Sequence, residues 1–124
     1  MSGWIGVDLD GTLARYDGWK DGEIGEPVPA MVERVKQWLA EGKEVKIFTA
    51  RVSVKGGYSL ESHSFADENF RLEQLQKIRQ WCIENIGQAL DVTCIKDFSM
   101  ISLYDDRCIQ VEMNTGRLIQ DEHS

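Results

Sequence analysis

The 124-residue sequence contains few residues of several kinds, and each shortage argues against a class of protein. It has no apolar run of about 18 residues, so a membrane-spanning helix is not expected. The N-terminus, MSGWIGVDLD, lacks the basic segment and long apolar run of a secretory signal. Lysine and arginine number 14 against 21 acidic residues, and the net charge of −7 argues against a broad basic surface for nucleic acid. These features predict a cytoplasmic protein without a membrane partner.

Cysteine is also scarce. Cys82, Cys94 and Cys108 are widely spaced and form no CxxC pair, which predicts reduced and mostly buried thiols rather than a disulfide framework. The two histidines, His63 and His123, are too far apart to form a ligand pair on a helix. A zinc site built from cysteine and histidine is therefore not expected.

The composition is that of a globular domain, with 42% hydrophobic and 28% charged residues. At this length we expect a single domain spanning 1–124. Apolar spacing and turn residues predict an alternation of strands and helices. The predicted elements are a strand at 3–9, a small flap at 14–27, a helix at 28–40, a strand at 44–50, a polar loop at 51–64, a helix from Ser64 to Ile86, strands at 92–96 and 101–104, and a hairpin at 108–119.

This alternation favours an α/β fold with a mostly parallel sheet and helical crossovers. In such sheets ligands bind beyond the carboxyl ends of the strands. Each predicted strand is followed there by a polar side chain. These side chains are Asp8 and Asp10 after the first strand, Thr49 after the second, Lys96 near the third, and Asp105 and Asp106 after the fourth.

The residue types at this edge indicate phosphate chemistry. Two carboxylates held close together repel each other unless a proton or a cation lies between them. Carboxylate oxygens suit Mg²⁺, and a carboxylate can also act as a nucleophile in phosphoryl transfer. A threonine hydroxyl and a lysine ammonium can both bind phosphate oxygens. Because neighbouring residues of a strand alternate between faces, only one of Asp105 and Asp106 is expected to contact a metal directly.

The same residues are compatible with other kinds of site only in part. The segment Asp10-Gly11 alone is a common turn dipeptide. An EF-hand loop that begins at Asp8 would place Thr12 and Leu13 where a ligand and a glycine belong, so that interpretation fails. A receiver domain carries its phosphorylated aspartate on a middle strand, whereas the second strand here ends in Thr49.

Four segments in this order resemble the signatures of the haloacid dehalogenase superfamily. They are 8–13 (DLDGTL), 47–51 (IFTAR), 96–97 (KD) and 104–107 (YDDR). The resemblance implies a Rossmann-like sheet with helices on both faces and a Mg²⁺-dependent phosphoryl transfer. It implies that Asp8 is the nucleophile and that Asp10 is first the general acid and then the general base. It also assigns phosphate binding to Thr49, Ala50 and Lys96, and metal binding to Asp8, Asp10 through its main-chain carbonyl, Asp105 and Asp106.

The family inserts its large lid domains at two positions, and here the first of them holds only the flap at 14–27. The chain therefore resembles a capless member, whose open site accepts bulky substrates or is covered by forming a homo-oligomer. The segment that starts at Asp105-Asp106-Arg107 is also similar to phage polynucleotide 3′-phosphatase domains. The family usually has a helix after the fourth signature, and the hairpin predicted at 108–119 departs from that.

The sequence thus predicts a small Mg²⁺-dependent phosphomonoester hydrolase acting on a small phosphorylated molecule. A nucleotide, or the 3′-phosphate of a nucleic acid, is the alternative substrate, since Tyr16 and Trp19 of the flap could stack on a base. The alternative from another class is a non-catalytic module that binds phosphate or metal. Whether Arg51 faces the phosphate or a neighbouring carboxylate is left open by the sequence.

Overall fold

The computed structural model describes residues 3–53 and 65–119, with the side chains of the second helix described from Glu68 onward. Six helices and strands form the described fold. They are β1 (Trp4–Asp8), α1 (Pro29–Ala40), β2 (Glu44–Phe48), α2 (Phe65–Asn85), β3 (Asp91–Thr93) and β4 (Met100–Tyr104). Two short 3₁₀ turns, Lys20–Gly22 and Ala50–Val52, lie outside these elements.

The four strands form one sheet in the order β3-β2-β1-β4, and every neighbouring pair is parallel. The carboxyl ends of the strands therefore meet at a single edge of the sheet. The prediction of an α/β, Rossmann-like architecture without a cap domain is confirmed for the described part of the chain.

The hydrophobic core lies on one face of this sheet. Ile5 and Val7 of β1 pair in register with Val45 and Ile47 of β2, so all four side chains point the same way. They are buried in one cluster with residues of both helices, among them Val32, Val35, Ile78 and Cys82. Burying a side chain of this size contributes about 1.5–3 kcal/mol, so this cluster is the main source of stability.

Both helices form where the apolar spacing predicted them. In α1 the buried residues Val32 and Val35 are three apart, and Pro29 occupies the first turn, where its missing N–H is not needed. The connections from β1 to β2 and from β2 to β3 step in the same direction across the sheet, and right-handed crossovers then place both helices on one face. Within the described residues, helices therefore cover one face of the sheet and not both, as had been expected. The connection from β3 to β4, residues 94–99, is short and contains no helix.

The opposite face is closed by side chains from the sheet itself. A Cβ atom on Gly6 would lie 3.1 Å from atoms of Trp4, Met100 and Leu103. Glycine at this position therefore leaves room for the Trp4 indole, which is 2% exposed and donates a hydrogen bond of 2.8 Å to Asp97 Oδ1.

Antiparallel bridges form in the flap at 14–27, for which the sequence allows an exposed loop or a small hairpin, and in the tail, for which it predicts a hairpin. In the flap, Ala14 bridges Pro27 and the Arg15 N–H donates to the Glu26 carbonyl at 2.8 Å. In the tail, Val111 bridges Leu118. Among the residues described, the segment after β4 is therefore a hairpin, as the sequence predicts, rather than a helix.

Three predicted boundaries or environments are corrected. The second strand ends at Phe48 rather than at residue 50, since Thr49 caps a 3₁₀ turn. The third strand is confined to Asp91–Thr93, so Lys96 lies beyond it rather than near its end. The three cysteines form no disulfide, but only Cys82 is buried, because Cys94 is partly exposed and Cys108 is exposed. The loop at 54–63 and the predicted helix start at Ser64 lie outside the described residues.

Neither of the described helices has an apolar stretch that could cross a bilayer.

Candidate active site

Three carboxylates meet at the carboxyl edge of the sheet. Asp8 is the last residue of β1, and Asp105 and Asp106 follow the end of β4 directly. One carboxylate oxygen from each of the three lies within 4.8 Å of the others. Both Asp105 and Asp106 face the site, and the expectation that only one of them contacts a metal directly stays a prediction. The alternation of faces ends with β4 at Tyr104, and the turn that follows directs both side chains toward Asp8.

The crowding of these carboxylates changes the acidity of Asp8. Burial raises the pKa of its carboxyl to about 7, and a side-chain hydrogen bond with Asp106 and the negative charges of Asp105, Asp106 and Asp10 act in the same direction. A proton shared with Asp106 offsets part of the repulsion, and a bound cation would do the same. The cluster is therefore poised to bind positive charge.

Thr12 and Gly11 hold this cluster together. The Thr12 hydroxyl lies 3.1 Å from Asp106 Oδ1 and 3.4 Å from Asp8 Oδ2, and it accepts the Asp106 N–H at 2.9 Å. Gly11 has a φ of +94°, and a Cβ atom there would lie 2.6 Å from Asp106 Oδ2. Only glycine combines this backbone conformation with so close an approach of a carboxylate.

Asp10 is held apart from that cluster by Arg51. The Arg51 side chain donates from Nε to Asp10 Oδ2 at 2.7 Å and from Nη2 to Asp10 Oδ1 at 2.8 Å. This is a two-pronged pair between a fixed guanidinium and both oxygens of a carboxylate. The structure thus answers the question left by the sequence, since Arg51 faces a neighbouring carboxylate.

The remaining donors of Arg51 bind the flap and α2. Nη1 donates to the Gly22 carbonyl at 2.7 Å and to Gln74 Oε1 at 2.9 Å, and Nη2 also donates to the Glu23 carbonyl at 3.3 Å. All five N–H groups of the guanidinium are therefore engaged. The Trp19 ring covers its outer face, with 4.8 Å from Arg51 Cζ to the ring centroid. Arg51 joins Asp10, the flap and α2 into one unit.

The predicted phosphate-binding residues are only partly brought together. Thr49 is buried and Ala50 follows it, and both line the same cavity as Asp8. Thr49 Oγ1 accepts the Arg51 N–H at 3.2 Å, and this contact leaves the hydroxyl proton free to be donated to a ligand. Lys96 is exposed and does not line this cavity. Burial and the charge of Asp105 raise the pKa of Cys108, and the positive charge of Lys96 partly opposes this, so Lys96 lies near Cys108 rather than in the cavity.

The open cavity above these residues has a volume of about 560 Å³. Its floor carries Asp8, Asp10, Asp105 and Asp106, and its sides include Tyr16, Trp19, Phe48, Phe70 and Arg107. This volume lies within the range of about 300–1,000 Å³ that is usual for small-molecule sites.

The donor set of the cluster suits a hard divalent cation. The three converging side chains offer only carboxylate oxygens, which Mg²⁺ prefers and which do not favour zinc. Burial is the main cause of the raised pKa of Asp8, and the hydrogen bond with Asp106 and the negative charges of Asp105, Asp106 and Asp10 add to it. The residues that the resemblance assigns to Mg²⁺ therefore fit that ion.

No protein-family model and no curated protein matches this chain. Among solved structures, the conserved protein coded by a locus from Bacteroides thetaiotaomicron is similar in fold, with a TM-score of 0.52. The two sequences are 18% identical over an alignment that covers 87% of this chain and 78% of the other. At this identity the likeness supports the architecture alone.

Several residues of the site were not assigned a role from the sequence. Thr12 belongs to the DxDGT segment, so its closeness to Asp8 was within reach of sequence reasoning. Gln74 and Phe70 carried no such signal, because on an amphipathic helix each resembles an ordinary core or surface residue. Arg107 stood within the fourth signature without an assigned role.

The pKa of Asp8 predicts how stability depends on pH. In the folded protein Asp8 takes up a proton below about pH 7, whereas the unfolded chain does so only below about pH 3.8. Its ionised form therefore destabilises the fold above pH 7, and this cost disappears as the pH falls toward 4. We expect Asp8→Asn to raise the free energy of unfolding at pH 8 by about 1–2 kcal/mol, after allowance for the screening of a partly exposed group.

Urea unfolding of both proteins in EDTA between pH 5 and pH 8 measures this difference. The gap in favour of Asp8→Asn should narrow steadily as the pH is lowered. A gap that is constant with pH, or one that favours the wild type at pH 8, would show that the carboxylates do not repel each other in the folded protein.

Proposed function

We propose that the protein is a Mg²⁺-dependent phosphomonoester hydrolase that acts through an aspartyl-phosphate on Asp8. The observation that carries this proposal is the convergence of Asp8, Asp105 and Asp106 at the carboxyl edge of a parallel sheet. They lie at the base of an open cavity that Asp10 and Thr49 also line. The resemblance of the four sequence segments to the haloacid dehalogenase superfamily supports the same chemistry.

In the first step, an Asp8 carboxylate oxygen attacks the phosphorus atom of the ester. The bond between phosphorus and the ester oxygen breaks, and that oxygen leaves with a proton donated by Asp10. In the second step a water molecule attacks the phosphorus of the aspartyl-phosphate, Asp10 accepts the water proton, and the bond between phosphorus and Asp8 breaks. Inorganic phosphate and the free Asp8 carboxylate are the products.

The contacts around Asp10 suit the base step directly, because a guanidinium bound to both oxygens stabilises the carboxylate, whereas the acid step needs a proton on a lone pair that Arg51 leaves unused. Arg51 binds both of its oxygens and fixes the plane of the carboxyl group, so one orientation serves both proton transfers. Each carboxylate oxygen keeps a second lone pair that can carry the proton. The Thr49 hydroxyl is in place to donate to a phosphate oxygen.

Mg²⁺ would be held by Asp8, Asp105, Asp106 and the main-chain carbonyl of Asp10. When bound, it would offset the negative charge of the carboxylates and of the phosphate group. Lys96 does not line the cavity, so it would offset the charge of the phosphate group only if its side chain approached the carboxylate cluster.

The test is phosphate release from p-nitrophenyl phosphate by the purified protein in MgCl₂ and in EDTA. We expect turnover in MgCl₂ that falls at least about 100-fold in EDTA, because three unscreened carboxylates would repel the substrate. A thermal unfolding scan in the same buffers should show a higher midpoint with MgCl₂.

Two other outcomes would contradict the proposal. Phosphate binding with no turnover in MgCl₂ would favour a non-catalytic module. Equal turnover in EDTA and MgCl₂ would remove the metal from the mechanism.

The proposal extends to the setting of the enzyme. Cysteines without disulfides and a net charge of −7 fit a cytoplasmic protein whose substrate is a small phosphorylated molecule. An open site without a cap domain would also allow a second copy of the chain to cover it as a homo-oligomer.

A further inference from the structure

We propose that the substrate is a mononucleotide whose base stacks on an aromatic wall of the active-site cavity. The wall is formed by Tyr16 and Trp19 of the flap and Phe70 of α2. This inference rests on the proposed phosphatase function, and it adds the class of substrate.

The three side chains of the aromatic wall are far more exposed than aromatic side chains that pack into a core. Tyr16, Trp19 and Phe70 are 50%, 45% and 43% exposed, and all three line the cavity that contains Asp8. Single exposed aromatic residues are common on protein surfaces, but a group of them around a cavity marks a binding site. Since flap and α2 residues are distant in sequence, their meeting here is a property of the fold.

The geometry of the wall suits a flat ring. The Trp19 and Phe70 rings lie 6.2 Å apart between centroids with an angle of 33° between their planes. Trp19 is fixed from behind by Arg51, whose guanidinium lies against its ring. Because Arg51 holds the Trp19 ring in place and shields one of its faces from water, the opposite face is well suited to stack on a base.

Sugar phosphates fit the same wall less well. Beyond the carboxylates and Thr49 at the phosphate end, the described lining consists mainly of aromatic carbon, with Tyr16, Arg51 and Arg107 as the polar side chains. The hydroxyl groups of a sugar give up hydrogen bonds to water when they are buried, and this costs free energy unless the protein supplies new partners. A nucleobase instead needs an apolar face and a few polar contacts at its edge.

Arg107 can supply such a contact. Both Arg51 and Arg107 line the cavity, but every donor of Arg51 is engaged. The Arg107 side chain makes no hydrogen bond or ion pair with the residues described, so its guanidinium is free to bind an acceptor on a base. The net charge of −7 favours a single nucleotide over a polynucleotide, which would bring many more negative charges to an acidic surface.

The test compares kcat/KM for adenosine 5′-monophosphate and ribose 5-phosphate, which differ by the base. We expect the wild type to prefer the nucleotide by at least about 10-fold, and Phe70→Ala to reduce this preference about 10-fold, as loss of one stacking partner predicts. Phe70→Tyr keeps the ring and should keep the preference. The ratio does not depend on the fraction of active protein, so a partly unfolded variant still gives a valid result.

Leu72→Ala is the matched control. Leu72 lies on the same helix, is 48% exposed and does not line the cavity, so its substitution should leave the ratio unchanged. A wild type that cleaves ribose 5-phosphate as well as the nucleotide would overturn this inference and leave the phosphatase proposal intact. Preference for a 3′-phosphorylated oligonucleotide over the mononucleotide would overturn it too.

A separate binding measurement distinguishes failure of the inference from failure of the phosphatase proposal. If neither substrate is cleaved in MgCl₂ but p-nitrophenyl phosphate is, the inference is wrong and the phosphatase proposal stands; if none of the three is cleaved, the proposed function is wrong. Calorimetric titration of Asp8→Asn with adenosine 5′-monophosphate would then test the wall alone. Binding that Phe70→Ala weakens about 10-fold would support the aromatic site, and equal affinity of both proteins would contradict it.

Discussion

Replacing Asp8 by asparagine is expected to lower phosphate release from p-nitrophenyl phosphate by more than about 10³-fold. An amide oxygen is a far weaker nucleophile than a carboxylate oxygen, and the aspartyl-phosphate would not form. The measurement is kcat/KM in MgCl₂ for wild type and variant, purified side by side. Because the substitution also relieves carboxylate repulsion, the inactive variant should be at least as stable as the wild type at pH 8.

The combination of lost activity and retained stability separates a chemical role from a structural one. Asp17→Asn is the matched control, since Asp17 is an exposed flap residue whose ion pair with Arg15 is 3.9 Å long. It should keep full activity. Turnover by Asp8→Asn within a few fold of the wild type would contradict the assignment of Asp8 as nucleophile.

Much of the fold could be predicted because its signals are local. The spacing of Val32 and Val35 in α1 is visible within two turns of sequence, and the end of β1, predicted at Leu9, lies one residue earlier at Asp8. The convergence of Asp8 with Asp105 also followed from the sequence, since parallel strands bring their carboxyl ends to one edge. Local patterns combined with one topological rule were sufficient for these features.

The predictions were least accurate for residues that lie just beyond the end of a strand. Alternation of faces holds only inside a strand, so it does not describe Asp105 and Asp106, which both bring a carboxylate oxygen close to Asp8. The third strand is three residues long, and its short length leaves Lys96 outside the cavity. No periodic pattern shows where a chain leaves a strand, and that point decides which polar side chains reach the site.

The aromatic wall illustrates a different limit. Phe70 has the spacing of an ordinary apolar residue on α2, and its exposure depends on what packs beside it. The flap that brings Trp19 to Phe70 is positioned by tertiary contacts, above all by the bonds from Arg51 to Gly22 and Glu23. A surface assembled from distant segments in this way has no signature in any one of them.

Arg51 is the residue whose removal should destabilise the fold most. It is 5% exposed, and five hydrogen bonds join it to Asp10, Gly22, Glu23 and Gln74. In Arg51→Met the side chain keeps much of its volume, but Asp10 loses its counter-charge and the buried Gln74 loses a partner. Breaking a buried pair in this way costs about 3–5 kcal/mol, a large share of the total stability of a small domain.

Urea unfolding at pH 7 measures this loss, and Arg15→Met is the matched control. Arg15 is an exposed flap arginine, so its substitution should change the free energy of unfolding by less than about 0.5 kcal/mol. The stability of Arg51→Lys should lie between those of the wild type and Arg51→Met, because an ammonium keeps the charge but not the paired donors.

The double variant Asp10→Asn with Arg51→Met should be less destabilised than the sum of the two single variants, since both remove the same contact. If the effects add, Arg51 acts mainly through the flap and α2, and its pairing with Asp10 contributes little to holding the catalytic carboxyl in place.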